Sequence, residues 1–239
     1  MLVMALGSFA AVDSITIALD ERPDAVFFAE AAASLPDVLL DFSVQSLQCL
    51  IPFTVYHMCL IRPCQAHDHV IIASARAQNM LKTRFYGADT KDTEALRRAY
   101  WAILLIESEL STQLDLPQSG IWQLEEEIPL PSADRTWYFP PIVKDATPSS
   151  STQIFGTGLD VAPAYFLAAI AMWRMLRRCT TSVSKSAERG LRYASVVVKE
   201  LELQQDEWYK YLPPPLIFHK HPTRMDQIAA LAPAHFLQS

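Results

Sequence analysis

The prolines of this chain are bunched rather than spread, and the bunching divides it into helix-length apolar stretches. Inside a helix proline removes a backbone donor and clashes with the turn before it, so proline clusters mark connections. One cluster takes in positions 117, 129, 131, 140, 141 and 148; another is Pro213-Pro214-Pro215. Only six glycines interrupt the 239 residues. No strand-rich stretch and no internal repeat stands out. The pattern is all-α: a multi-helix, bundle-like body with one long irregular proline- and serine-rich connection.

Helices are expected over Leu2 to Ile17 and Phe27 to Ala33, the second closed by Leu35-Pro36. Ser43 reads as the N-cap of a helix from Val44 to Ile61, stopped by Arg62-Pro63. That helix is apolar on nearly all sides (Val44, Leu47, Leu50, Ile51, Val55, Met58), which predicts a central position, with Pro52 bending it. Ala66 to Lys82 follows, carrying small residues at Ala73, Ser74 and Ala77 where a neighbour can come close. Asp92 or Thr93 caps the next helix, which reaches Leu114. Leu96, Tyr100, Ile103, Leu110 and Leu114 recur in it at helical steps and define one buried stripe.

The period then vanishes from Asp115 to Asp160. Trp122, Trp137, Tyr138 and Phe139 predict that the first half of this connection packs, while Ser149-Ser150-Ser151 predicts a mobile part. Glu125-Glu126-Glu127 reads as a solvated run in an ordered loop, ahead of an acidic activation segment interleaved with Trp122, Leu124 and Ile128. Ala162–Cys179 and Ala187–Tyr211 complete the helices. Residues 1–218 form the organised domain and 219–239 a tail.

Hydrophobic residues are 51% of the chain and charged ones 19%, which excludes a largely disordered polypeptide. The formal net charge of −6 and the scattered basic residues argue against a surface that clamps phosphates, so no direct DNA binding is expected. The apolar start lacks the basic leader of a signal peptide, and the run from Val161 to Trp173 is too short for a bilayer, so neither secretion nor membrane association is expected. The four cysteines, 49, 59, 64 and 179, lack the spacing of a disulfide framework and read as reduced, packed thiols.

Leu96-Arg97-Arg98-Ala99-Tyr100-Trp101-Ala102-Ile103-Leu104-Leu105 is a paired-basic, aromatic helix. Leu114-Asp115-Leu116-Pro117-Gln118-Ser119-Gly120-Ile121 and then Ile128-Pro129-Leu130-Pro131 follow it. In that order these segments resemble the middle homology region of fungal binuclear zinc-cluster transcription factors. Leu2 to Ala11 is similar to that family's opening helix, Ser46-Leu47-Gln48-Cys49-Leu50 and Ala73 to Met80 to the helices after it. Leu201 to Phe218, with Trp208-Tyr209 and Leu212-Pro213, is similar to its closing stretch. The resemblance implies a nuclear, non-enzymatic regulatory domain of RNA polymerase II transcription. It also implies a small-molecule effector and pairing with itself or with an intact factor. The family's six-cysteine zinc module has no counterpart here, so zinc is implied only for a complete relative and the expectation is a shortened member. Tyr100, Trp101, Pro117, Pro131 and Trp208 read as packing and turn residues.

Glu107 falls on the buried stripe, where an isolated charge is costly, so a partner is expected at Arg62, Arg76 or His57. The rival reading makes it an acid in a ligand pocket lined by Glu107, His57 and Tyr100. That would suit a stand-alone helical carrier of a small metabolite, or an enzyme recruited from this scaffold. A truncated negative regulator is the third reading. Cys64, His67, Asp68 and His69 suggest a metal only superficially, because residues two apart on a helix do not share a face. His219 and His221 read as solvated loop residues. No catalytic residues and no cofactor-binding or metal site are expected.

Overall fold

A computed structural model describes residues 1–10, 22–84, 91–132, 161–188, 195–212 and 214–217. These residues form eight α-helices and two short 3-10 turns, with no strand among them, so the fold is all-α. The chain divides into two compact units, Met1–Thr136 and Trp137–Ser239. The expected helix over 11–17, the segment 133–160 and the tail with His219 and His221 lie outside the described residues.

In the first unit the helices are α1 (Leu2–Ala10), α2 (Asp24–Ala33), α3 (Leu35–Leu40), α4 (Val44–Cys59), α5 (Pro63–Arg84) and α6 (Lys91–Leu114). α2 ends at Ala33 and α4 at Cys59, ahead of Leu35-Pro36 and Arg62-Pro63 as expected; each proline then sits in the first turn of a new helix, α3 and α5. The N–H that proline lacks has no helical acceptor in that turn, and its fixed φ already suits the helix. Ser43 caps α4 as expected, accepting from Ser46 N–H at 3.1 Å, while Ser43 N–H donates to Ser46 Oγ at 3.3 Å. α6 already includes Asp92 and Thr93, so neither is its N-cap, a correction to the expected start.

The α4–α5 turn is a Schellman closure. Arg62 N–H donates to His57 O at 2.9 Å and Ile61 N–H to Met58 O at 3.0 Å. Its left-handed position, usually glycine, is held by Ile61 at φ 55°. A β-branched residue is strained there by roughly 1–2 kcal/mol.

α4 packs against α1, α3, α5 and α6, the central place its apolar circumference predicts. Leu47, Leu50 and Phe53 are buried on it. Each such side chain contributes about 1.5–3 kcal/mol by leaving water. Ala73, Ser74 and Ala77 of α5 are fully covered, as their small size foretells. The α6 stripe is buried from Leu96 through Leu110; Leu114, in the last turn, is 43% exposed. Beyond α6, the 3-10 turn Ile121–Leu124 packs against α5.

The second unit consists of α7 (Val161–Glu188), α8 (Ser195–Lys210) and the 3-10 turn Pro214–Leu216. Trp208 fastens α8 to α7, its Nε1–H donating to Ala168 O at 3.0 Å. α7 runs past its expected end at Cys179. Thr180 and Thr181 are weak helix formers, but differences of a few tenths of a kcal/mol per residue do not end a helix. No described helix is long and apolar enough to cross a membrane.

Candidate functional site

Two of the three buried acids among the described residues, Glu107 and Asp24, organise the polar interior of the first unit. Glu107, on α6, is 2% exposed. One carboxylate oxygen accepts Ser119 N–H at 2.6 Å; the other accepts Ser119 Oγ–H at 2.8 Å and the hydroxyl of Ser74 on α5. Its partners are therefore neutral donors and not Arg62, Arg76 or His57, a correction to the expected pairing. The reason lies in the geometry of the turn. Ser119 follows Pro117 where the chain doubles back along α6, so a main-chain N–H and a hydroxyl arrive together at the acid. Both oxygens are satisfied without a cation.

The same turn is tied down from several sides. Ser119 Oγ also accepts Ile121 N–H at 3.1 Å, and Tyr100 donates its hydroxyl to Ile121 O at 3.2 Å. From α5, His67 Nε2 donates to Pro117 O at 2.8 Å and Gln78 to Ser119 O at 3.4 Å. Further on, Trp101 Nε1–H reaches Pro129 O at 2.9 Å, and Glu94 accepts Ser132 N–H at 2.9 Å. Glu94 is itself paired with Arg97 and Arg98 at 2.7 and 3.0 Å. Glu94 and Trp101 are seven residues apart, as are Tyr100 and Glu107, so each pair lies on one helix face. Together these four α6 side chains clasp residues 117–132.

Within that clasped segment, Ile121, Leu124 and Ile128 are buried and Trp122 is 36% exposed. The segment packs as expected, but through these aliphatic side chains; Trp137, Tyr138 and Phe139 lie outside the described residues. Glu125–Glu127 belong to this ordered segment, as expected.

The second acid, Asp24 at the start of α2, is fully buried. Arg22 Nε donates to one of its oxygens at 3.0 Å and Arg22 Nη2 to the other at 2.8 Å; the Tyr56 hydroxyl donates at 2.7 Å. Burial pushes the Asp24 carboxyl up, but the hydrogen bonds from Arg22 and Tyr56 outweigh it and leave the group below the usual carboxylate range. Burial and the Asp24 hydrogen bond push the Tyr56 phenol up to about 12. Arg22 also lies over the Phe9 ring of α1 at 4.6 Å, which links three helices at this point.

His57 sits beside Tyr56 and is 7% exposed. Phe28 meets its ring edge-on at 5.4 Å, and the His69 ring lies 5.1 Å away. Its Nδ1 is buried with no hydrogen-bond partner among the described residues. Burial, then His69 and Arg62, hold its pKa below the ordinary 6.5. The structure thus brings Glu107 and Tyr100 to one turn. The described ring contacts of His57 are with Phe28, Tyr56 and His69, not with Tyr100.

Arg76, expected as a partner of Glu107, closes the C-terminal end of α3. Its guanidinium donates to the carbonyls of Val38, Leu39 and Asp41 and to Ser46 Oγ, at 2.7 to 2.9 Å. His67 and His69 are engaged with Pro117 O and Gln65 O respectively. Among the described residues no group of three or more His, Cys, Asp or Glu could hold a metal ion. Cys49 and Cys64 are exposed, and Cys59 and Cys179 half-buried, so the packed-thiol expectation fails. An apolar surrounding sequence does not say which face of the helix a thiol takes.

Residue type alone does not mark Ser74, Ser119, Arg22, Asp24 and Glu94 as polar partners. The only local signals were the Arg22–Asp24 spacing of two and the i, i+3 and i, i+4 arginines after Glu94.

The chain is 36% identical over 223 aligned residues to a protein of Aspergillus rugulosus named "Putative transcription factor ecdB". The alignment takes in 86% of this chain but 36% of that protein, so the chain spans a little over a third of its curated relative's length. No family model and no solved structure matches the chain.

Proposed function

We propose that this chain is the helical regulatory body of a fungal transcription factor, of the middle homology type, and that its DNA-reading part lies outside these 239 residues. The observation that carries the proposal is the 36% identity, over most of the chain, to a much longer protein named as a transcription factor. The geometry supports the same reading. Tyr100 and Trp101, from the segment that resembles the family, clasp the connection after α6, and Trp208 joins the two helices of the second unit. These residues hold helices and loops in place. Glu107 has both oxygens engaged by donors, which suits a structural clasp better than a catalytic acid.

In this reading the body acts in the nucleus. It restrains or releases a regulatory segment by shifting between two packings, biased by a small effector or by an intact partner factor. Glu126 and Glu127 of the clasped segment are exposed already, so the side chains that release would uncover are Ile121, Leu124 and Ile128. Zinc belongs to the DNA-reading part of a complete relative and has no role in this body.

The test is a tethered reporter assay in a fungal host. The chain is fused to an unrelated DNA-binding module, with and without Glu107→Ala. The expected result is an output that differs from the module alone and rises when the clasp is broken. Equal output from all three proteins would contradict the proposal. So would nanomolar, salt-resistant binding of the isolated chain to a defined DNA site, because a net charge of −6 argues against the counterion release such binding draws on.

A further inference from the structure

We propose that His57 makes the packing of α2 on α4 acid-sensitive, so that mild acidification loosens this corner of the first unit while the Glu107 clasp stays closed. His57 is nearly covered, Phe28 of α2 lies edge-on against its ring, and its Nδ1 has no partner among the described residues. A neutral imidazole tolerates that position; an imidazolium would add a buried charge and an unsatisfied donor.

The groups around it offer no compensation. Arg62, in the α4–α5 turn, and His69, on α5, both oppose a positive charge on His57. Tyr56, its neighbour on α4, is committed to Asp24. The nearby acid of α2 is Asp24, whose two oxygens already hold Arg22 and Tyr56. The described part of α1 carries no ionisable side chain, and the acid of α3, Asp37, is exposed. On α6 the buried acids are engaged elsewhere, Glu94 with arginines and Glu107 with serines.

The direction of the effect follows from proton linkage. The unfolded or locally opened chain takes up a proton on this imidazole near pH 6.5, and the closed packing takes it up only at lower pH. Between those two values the open form binds more protons, so closing becomes less favourable as the pH falls, by up to about tenfold per pH unit. Above pH 7 the term vanishes. This inference does not depend on the transcriptional reading.

Hydrogen exchange of the whole chain at pH 7.5 and 5.5, corrected for the intrinsic pH dependence of exchange, tests it. In the wild type, protection over residues 24–33 is expected to fall several-fold to about tenfold, while residues 91–114 keep theirs. His57→Phe, which keeps an aromatic ring and removes the titrating nitrogens, is expected to flatten the change to under about twofold, since no proton is then taken up on opening. The same loss in that variant, or a loss shared equally by 91–114, would overturn the proposal. Should the variant fail to fold, the ring's own titration in the wild type by NMR decides. A midpoint well below 6.5 supports the proposal, and a midpoint at or above 6.5 sinks it.

Discussion

Glu107 and Asp24 are both buried carboxylates in the first unit, yet the fold satisfies them by opposite means. Asp24 holds an ion pair formed two residues away in the chain, reinforced by the Tyr56 hydroxyl from α4. Glu107 holds the hydroxyl of Ser74 and the main chain and side chain of Ser119, distant in sequence and neutral. The first arrangement can form locally and then be covered. The second exists only when α5, α6 and the 117–121 turn are assembled, so it reports tertiary structure. The regions differ in their neighbours too: the imidazole beside the Asp24 cluster, His57, has a buried nitrogen without a partner among the described residues, whereas the imidazole at the clasped turn, His67, donates to Pro117 O.

Breaking the clasp is expected to have the largest effect. Glu107→Ala strands Ser119 N–H in a half-buried turn and removes charge-assisted bonds, which predicts a loss of about 3 kcal/mol in urea unfolding. A loss under about 1 kcal/mol would mean that the turn holds without the acid and that the contrast between the two sites is empty. Tyr56→Phe leaves Arg22 on Asp24 and removes one hydrogen bond to a charged group, for an expected loss of about 1.5 kcal/mol near neutral pH. Because the Asp24 carboxyl sits below its ordinary 3.8, the stability it contributes is present above that value and disappears as the pH falls through its folded value. The gap between Tyr56→Phe and wild type should therefore narrow below about pH 4. An acid unfolding series on both proteins checks this.

The smallest effect concerns the turn beside His57. Ile61 is 77% exposed at a positive φ, so glycine there relieves strain and gives up little burial. After the added freedom of the unfolded chain is counted, Ile61→Gly should raise stability by about 0.5–1 kcal/mol. A rise in the urea midpoint at constant slope is the expected reading; a fall would place the value of Ile61 in contacts of its side chain.

Much of this architecture was legible because its signals are periodic or local. The α6 stripe from Leu96 to Leu110, the Ser43 cap and the small residues of α5 each follow from residue type and spacing. The burial of Glu107 was legible for the same reason. Its partners were not, because Ser119 is twelve residues away across an irregular turn and Ser74 lies thirty-three residues upstream. The partner of Arg76 was not legible because a long cation can reach many acceptors; the free carbonyls at the end of α3 claim it. Asp24 escaped notice because a short polar residue before an apolar helix reads as a surface position. Only the approach of Tyr56 from α4 makes it interior.

The central claim is that Glu107 is a clasp joining α6 to the turn at Ser119, and a double-mutant cycle tests it most directly. Glu107→Gln, Ser119→Ala and the double variant are compared in urea unfolding, with Tyr56→Phe crossed against Glu107→Gln as the control pair. The account predicts a coupling of about 1 kcal/mol between Glu107 and Ser119 and additivity within about 0.5 kcal/mol for the control. Additive losses at Glu107 and Ser119 would contradict it.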